Sequence, residues 1–126
     1  MRLLEEIVAL TPGEMAVGRR VTRGDDFYFQ GHFPGRPIVP AIILVELLAQ
    51  TGGFAVATAP GAPSSAPRQL RVAGLGPFKF PAAAGPDAIL EATANVTGGF
   101  GGVFKVDGTV TADGVVVATG SVMLAG

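Results

Sequence analysis

The longest apolar run in the chain, residues 38–59, constrains the fold more than any other feature. From Pro40 to about Thr58 it is too long for one strand and rich in Ile, Leu, Val and Ala, so it reads as a core helix. Pro40 falls near the first turn, where a missing N–H is harmless. The run approaches membrane-spanning length, yet it holds Pro40, Glu46, Gln50 and the Gly52-Gly53 pair. An ionisable group at mid-bilayer is expensive and rare, so the helix is expected inside a protein, with no membrane insertion.

The remainder of the chain supplies a sheet to cover that helix. Leu90, Ala92, Ala94 and Val96 alternate with Glu91, Thr93 and Asn95, the signature of a half-buried strand. Phe104, Val106, Gly108 and Val110 alternate in the same way with Lys105, Asp107, Thr109 and Thr111. Asp113-Gly114 is a hairpin signal, and Val115 to Leu124 would close the sheet. Met15 to Thr22 reads as a further strand, whereas Arg2 to Leu10 is expected to be a short helix closed by Thr11-Pro12-Gly13. Residues 69–75 and Phe78-Lys79-Phe80 are separated by a break at Gly76-Pro77, and Pro81 to Asp87 is turn-rich. Residues 25–38 and 59–67 read as loops, the second too short to divide domains. The expectation is one α+β domain over residues 1–126, a long central helix wrapped by a single antiparallel sheet.

Composition narrows the function. The nine Lys and Arg residues are scattered and the formal net charge is −1, so the electrostatic footprint of a nucleic-acid binder is missing. The sequence holds no cysteine, which removes disulfides, thiolate metal sites and a cysteine nucleophile, and with a single histidine a transition-metal site has little support. Acids at Glu5 and Glu6 stand where a signal peptide's apolar core would be, so the reading is a cytoplasmic protein.

Two ionisable residues stand out against this background. His32, the only histidine, lies in a Gly/Pro-rich loop, and its unperturbed titration falls near neutrality. Glu46 is a lone acid among Ile42, Ile43, Leu44, Val45, Leu47 and Leu48, where burial is costly without a partner or a task. They form a candidate acid–base pair; the plainer alternatives are a structural loop histidine and a solvent-facing helix position. Gln50, one turn beyond Glu46, either orients that carboxyl or satisfies its own amide. Gly52-Gly53 read as close-packing positions, Gly98 to Gly102 as a bulge or turn, and Asp25-Asp26 and Glu5-Glu6 as solvated acids.

The stretch Gln30-Gly31-His32-Phe33-Pro34-Gly35-Arg36-Pro37, followed by Pro40, Glu46 and Gln50, resembles the β-hydroxyacyl-acyl-carrier-protein (ACP) dehydratases of the FabZ and FabA types. The spacing of fourteen residues between His32 and Glu46 matches as well. The resemblance is specific over residues 28–53 and moderate at Ala73 to Phe80, where Gly74-Leu75-Gly76 is nearer the FabA type; Glu at position 46 leans to the FabZ type. It implies the hot-dog fold, a homodimer or higher oligomer joined sheet to sheet, and dehydration of a (3R)-3-hydroxyacyl thioester. His32 would be the general base and Glu46 of the partner protomer the proton donor or water relay. The backbone N–H groups of Ala41 and Ile42 would hold the thioester oxygen, with Gln50, Phe33, Gly35 and Pro40 in support. No cofactor is implied. The partner would be ACP, with Arg36, Arg71 and Lys79 as candidate docking residues.

The sequence departs from the family pattern at Ala41, where glycine is usual, and in lacking a tyrosine near residues 69–75. Two other functions fit the same fold, an acyl thioesterase and a non-catalytic acyl-binding protein. The His32-Phe33-Pro34-Gly35 loop argues against the first, and Ala41 is the feature that suggests the second.

Overall fold

The computed structural model describes residues 2–29, 37–60 and 70–126. Strands β1 (Glu6–Thr11) and β2 (Met15–Val21) come first, followed by a single 3-10 turn at Phe27–Phe29. Helix α1 (Ala41–Ala57) then precedes β3 (Arg71–Lys79), β4 (Ile89–Phe100), β5 (Val103–Ala112) and β6 (Val115–Ala125). The strands make one antiparallel sheet in the order β1-β2-β4-β5-β6-β3, and α1 lies across the faces of β2, β4, β5 and β6. This is the expected helix wrapped by a sheet.

Side-chain alternation explains the packing. Leu90, Ala92 and Ala94 of β4, Val106 and Val110 of β5, and Val122 and Leu124 of β6 are buried against α1. The helix answers with Ile43, Leu44, Leu47, Leu48, Thr51, Ala55 and Val56. Small residues set the distance of closest approach. A Cβ on Gly52 would lie 2.8 Å from Val106 Cγ1, and one on Gly108 would overlap the Leu48 side chain, so helix and sheet meet through two missing side chains. The close-packing expectation holds for Gly52 but not for Gly53, whose nearest neighbour is Leu70 at 3.9 Å.

Both tight turns between the last strands use left-handed backbone. Asp113 (φ 48°) and Gly114 (φ 84°) join β5 to β6, and Gly101 (φ 62°) and Gly102 (φ 79°) join β4 to β5. Two-residue hairpin turns need these angles to match strand twist. The Gly98–Gly102 stretch, expected to be a bulge or a turn, begins at a register shift between Val96 and Gly98 and ends in the turn.

Three expectations are corrected. Residues 6–10 are strand, not helix: they pair with β2, while the buried Leu3 and half-buried Leu4 give their N–H groups to Gln50 Oε1 at 2.8 and 3.0 Å. Long-range pairing and core burial override local helix propensity here. Gly76-Pro77 does not break β3. The strand advances from Leu75 to Phe78 while β6 moves only from Val122 to Gly120, a bulge that accommodates a proline without N–H on an edge strand. Finally, Asp26 is not a solvated acid; its side chain is 10% exposed and ion-paired to Arg20 at 3.2 Å.

Candidate active site

Helix α1 is covered around most of its circumference, and the uncovered stripe carries Glu46 and Gln50. Glu46, Gln50, Gly53, Phe54 and Ala57 recur at helical spacing along that stripe. They line a groove of about 760 Å³ together with Arg2, Leu4, Ala49, Leu70, Arg71, Val72 and Leu124. Its walls combine small or apolar side chains with the polar Glu46, Gln50, Arg2 and Arg71. That combination suits a ligand with an apolar tail and a polar head.

Gln50 does both things the sequence left open. Its Nε2 donates to Glu46 Oε1 at 3.1 Å, and its Oε1 accepts the Leu3 and Leu4 N–H groups. The glutamine thus ties the Glu46 carboxyl to the chain's N-terminal segment. Glu46 is half-buried, on the groove side of the helix.

At the start of α1, Pro40 is the N-cap residue, with extended backbone (φ −60°, ψ 145°) and no side-chain cap. Ala41 is helical, so its Cβ requires no left-handed angle, and alanine keeps the N–H available where glycine is usual. Ala41 is exposed and Ile42 is 64% exposed. The helix entry is fixed from outside by a hydrogen bond from the Val39 N–H to Ala84 O, 2.8 Å.

His32, Phe33, Gly35 and Arg36 lie outside the described residues. The chain enters their segment from a buried polar cluster that sequence reading missed. Arg20 reaches Tyr28 Oη with Nε (3.4 Å), Leu3 O with Nη1 (3.1 Å) and Asp26 Oδ1 with Nη2 (3.2 Å). Tyr28 Oη donates to Asp26 Oδ2 at 2.5 Å, which also accepts the Arg23 N–H at 2.9 Å. Burial raises the Tyr28 phenol, and its bond to Asp26 adds to this, giving about 12 in spite of the opposing Arg20 charge. For Asp26, burial pushes upward but is outweighed by the Tyr28 and Arg23 hydrogen bonds and the Arg20 charge, so its carboxyl is held below the usual range. One signal was available: Tyr28 is the only tyrosine, inside the aromatic trio Phe27-Tyr28-Phe29, and a buried phenol needs a polar partner.

The candidate docking residues do not converge. Arg71 borders the groove, whereas Lys79 stands at the far end of β3, opposite Thr119. Seven strand residues separate them, and their partners on β6, Ala125 and Thr119, are six positions apart, roughly 20 Å at the usual rise. Among the described residues no group of three His, Asp or Glu side chains could hold a metal ion, and no helix is long and apolar enough to cross a membrane.

The family model described as the FabA-like domain matches residues 1–121. A 3-hydroxyacyl-[acyl-carrier-protein] dehydratase FabZ from a Roseiflexus species is 35% identical over 123 residues, 98% of this chain and 84% of that protein. Its counterpart from Roseiflexus castenholzii has the same identity and coverage. Among solved structures, the dehydratase heterocomplex ApeI:P from Xenorhabdus doucetiae superposes with a TM-score of 0.78 at 17% identity, over 98% of this chain and 82% of that one, a likeness of fold. The arrangement of α1 within the six-stranded sheet is the hot-dog fold, and the nearly end-to-end match in sequence places the chain in the FabA-like family, with full-length similarity to its FabZ-type members.

Proposed function

We propose that the protein dehydrates (3R)-3-hydroxyacyl-ACP to trans-2-enoyl-ACP in fatty-acid or related acyl-chain synthesis. The observation that carries this reading beyond family likeness is the placement of Glu46. One carboxyl, hydrogen-bonded by Gln50, lies on the uncovered stripe of a core helix, in a groove it shares with Leu4, Phe54, Leu70, Val72 and Leu124. An acyl chain fits the apolar walls, and the chemistry belongs at the carboxyl.

In this reaction His32 takes the proton from the carbon next to the thioester carbonyl, and electron density moves onto the carbonyl oxygen. The amides of Ala41 and Ile42, at the positive end of α1, stabilise that oxygen. The enolate then re-forms its carbonyl, a carbon–carbon double bond is made, and the C3–O bond breaks. Glu46, directly or through a water, supplies the proton with which the hydroxyl departs as water. Gln50 holds the carboxyl toward the groove, and Pro40 fixes where the helix begins.

The site belongs to a homodimer in this reading, His32 of one protomer facing Glu46 of its partner. The outer edge of β3 supports that arrangement. β3 pairs with β6 alone, and its Leu75 is 57% exposed, so this edge is open to pairing with a second copy. Arg36, Arg71 and Lys79 are the proposed ACP contacts, with Arg71 at the groove. A cytoplasmic setting is part of the same reading and suits a sequence with no cysteine.

The test uses a crotonyl-type thioester with two readouts, ultraviolet absorbance of the conjugated enoyl group and release of free thiol. Interconversion of hydroxyacyl and enoyl thioesters without thiol release is the expected result. Thiol release would make the protein a thioesterase, and inertness in both would make it an acyl-binding protein.

A further inference from the structure

We infer that Gly53 is a specificity-determining residue, the position at which the groove makes room for the far part of a long acyl chain. The inference deepens the dehydratase reading and rests on it for its kinetic arm, while its binding arm stands apart. It starts from a glycine that the fold does not require.

Glycine is the poorest helix former after proline, so one well inside a helix of 17 residues needs a reason. Three ordinary reasons fail for Gly53. Its backbone is helical, with none of the positive φ angles found at Gly13, Gly101, Gly102 and Gly114. It does not end the helix, since α1 continues to Ala57. Nor does it let helix and sheet approach, as Gly52 does against Val106. Among the described residues, and apart from the helix's own backbone, a Cβ on Gly53 would meet only Leu70 Cδ1 at 3.9 Å, an ordinary van der Waals contact. The space beside Gly53 is the groove itself, which it lines with Phe54, Ala57 and Leu70.

Its place along the helix carries the argument to the substrate. Gly53 follows Glu46 by seven residues, or two turns, so the two line the same groove roughly 10 Å apart along the axis. Glu46 and Gly53 belong to one helix, so this separation holds whichever protomer supplies His32. An extended alkyl chain built from C–C bonds of about 1.5 Å covers it in roughly eight carbons. With the hydroxyl-bearing carbon at Glu46, a short acyl chain ends well before Gly53, and a chain of roughly twelve carbons or more passes over it. A Cβ at this position would project into the path of the long chain, and a larger side chain would block it.

The experiment compares the parent protein with Gly53→Ala and Gly53→Leu on 3-hydroxybutanoyl and 3-hydroxytetradecanoyl thioesters of pantetheine, and reads the ratio of kcat/KM for the long substrate to that for the short one. Gly53→Ala is expected to lower the ratio about threefold or more and Gly53→Leu at least about tenfold, the scale for obstructing an apolar pocket. Gly53→Ala is also expected to raise Tm by about 2–5 °C, because alanine is the better helix former and no neighbour has to move. An unchanged ratio in both variants, or a fall in Tm for Gly53→Ala, would overturn the inference. Equal losses on both substrates, with the parent's oligomeric state lost by light scattering, would overturn it as well and make Gly53 a contact between copies. The binding arm uses calorimetry with tetradecanoyl pantetheine, which carries no hydroxyl and needs no turnover. The parent should bind it, and Gly53→Leu should bind it at least about tenfold more weakly. Equal binding by both proteins, or none by the parent, would overturn the assignment even if the parent dehydrates. A parent that shows the binding difference without dehydrating would fail the dehydratase reading and leave Gly53 as the determinant of chain length.

Discussion

Replacing Gln50 by Leu separates what this side chain does for the fold from what it does for the site. The substitution keeps an apolar stem on the groove stripe but removes the oxygen that accepts two backbone N–H groups, from Leu3 at 2.8 Å and Leu4 at 3.0 Å. Leu3 is fully buried, so its N–H has no access to water and takes the full desolvation penalty; half-buried Leu4 can be partly rehydrated. An unsatisfied buried donor costs about 1–3 kcal/mol, and the pair therefore costs about 2–4 kcal/mol. An unfolding entropy of ~2.1 cal/mol/K per residue converts this into a fall in Tm of about 8–15 °C for a chain of 126 residues. The assay is a thermal melt followed by circular dichroism at fixed protein concentration, with amide exchange of Leu3 as a local readout. A Tm within about 3 °C of the parent, with Leu3 exchange unchanged, would refute the reasoning and show that the N-terminal segment does not depend on Gln50.

The remaining predictions concern pH, packing and docking. Asp26 and Glu5 are both held below their ordinary values: burial raises each, but hydrogen bonds and nearby arginines outweigh it. Their contribution is fully present above the unfolded carboxylate range near ~4 and is lost as pH falls through the lower folded values, so urea midpoints should drop on acidification below that range, and less steeply in Asp26→Asn. Tyr28, raised to about 12, contributes stability below the unfolded phenol value of ~10 that is lost between there and pH 12; Tyr28→Phe should flatten this alkaline limb. Gly52→Val would force a Cβ to 2.8 Å from Val106 and is expected to cost about 1–3 kcal/mol by chemical denaturation, with no new exposed surface to explain it. Reversing Arg36, Arg71 and Lys79 together to Glu should raise KM several-fold for an ACP-linked substrate at low salt and leave a pantetheine thioester unaffected; single reversals should show Arg71 carrying the largest share, because it alone of the two described residues borders the groove.

Much of this architecture was legible because periodicity reports burial directly. The alternation of Leu90, Ala92 and Ala94, the length of the run after Pro40, and the Asp113-Gly114 turn are each local consequences of one physical rule. The segment before Thr11 was misread because its pattern is short and its conformation is decided elsewhere, by pairing with β2 and by Gln50, more than 40 positions away. Gly76-Pro77 misled for the opposite reason. Its local signal is strong, but a bulge on an edge strand absorbs it. The stripe of Glu46 and Gln50 followed from helical spacing alone, whereas the cluster of Arg20, Asp26 and Tyr28 did not, because Asp25-Asp26 gives no sign of which acid turns inward. His32 was singled out by residue type and by family likeness, and it lies outside the described residues.

The most direct test of the shared site mixes two inactive chains. His32→Ala and Glu46→Gln are each expected to lose ~10²–10⁴-fold in dehydration rate, the usual loss for removal of a general base or acid, with folding intact. When the two are unfolded together in equal amounts and refolded, half of the dimers are hybrids, and each hybrid has one site with both His32 and Glu46. Turnover should recover to roughly a quarter of the parent value per chain. Recovery at that level is the predicted result. A mixture that stays as inactive as its components would contradict a site built from two protomers, and near-full activity of the His32→Ala chain alone would contradict the assignment of His32 as the base.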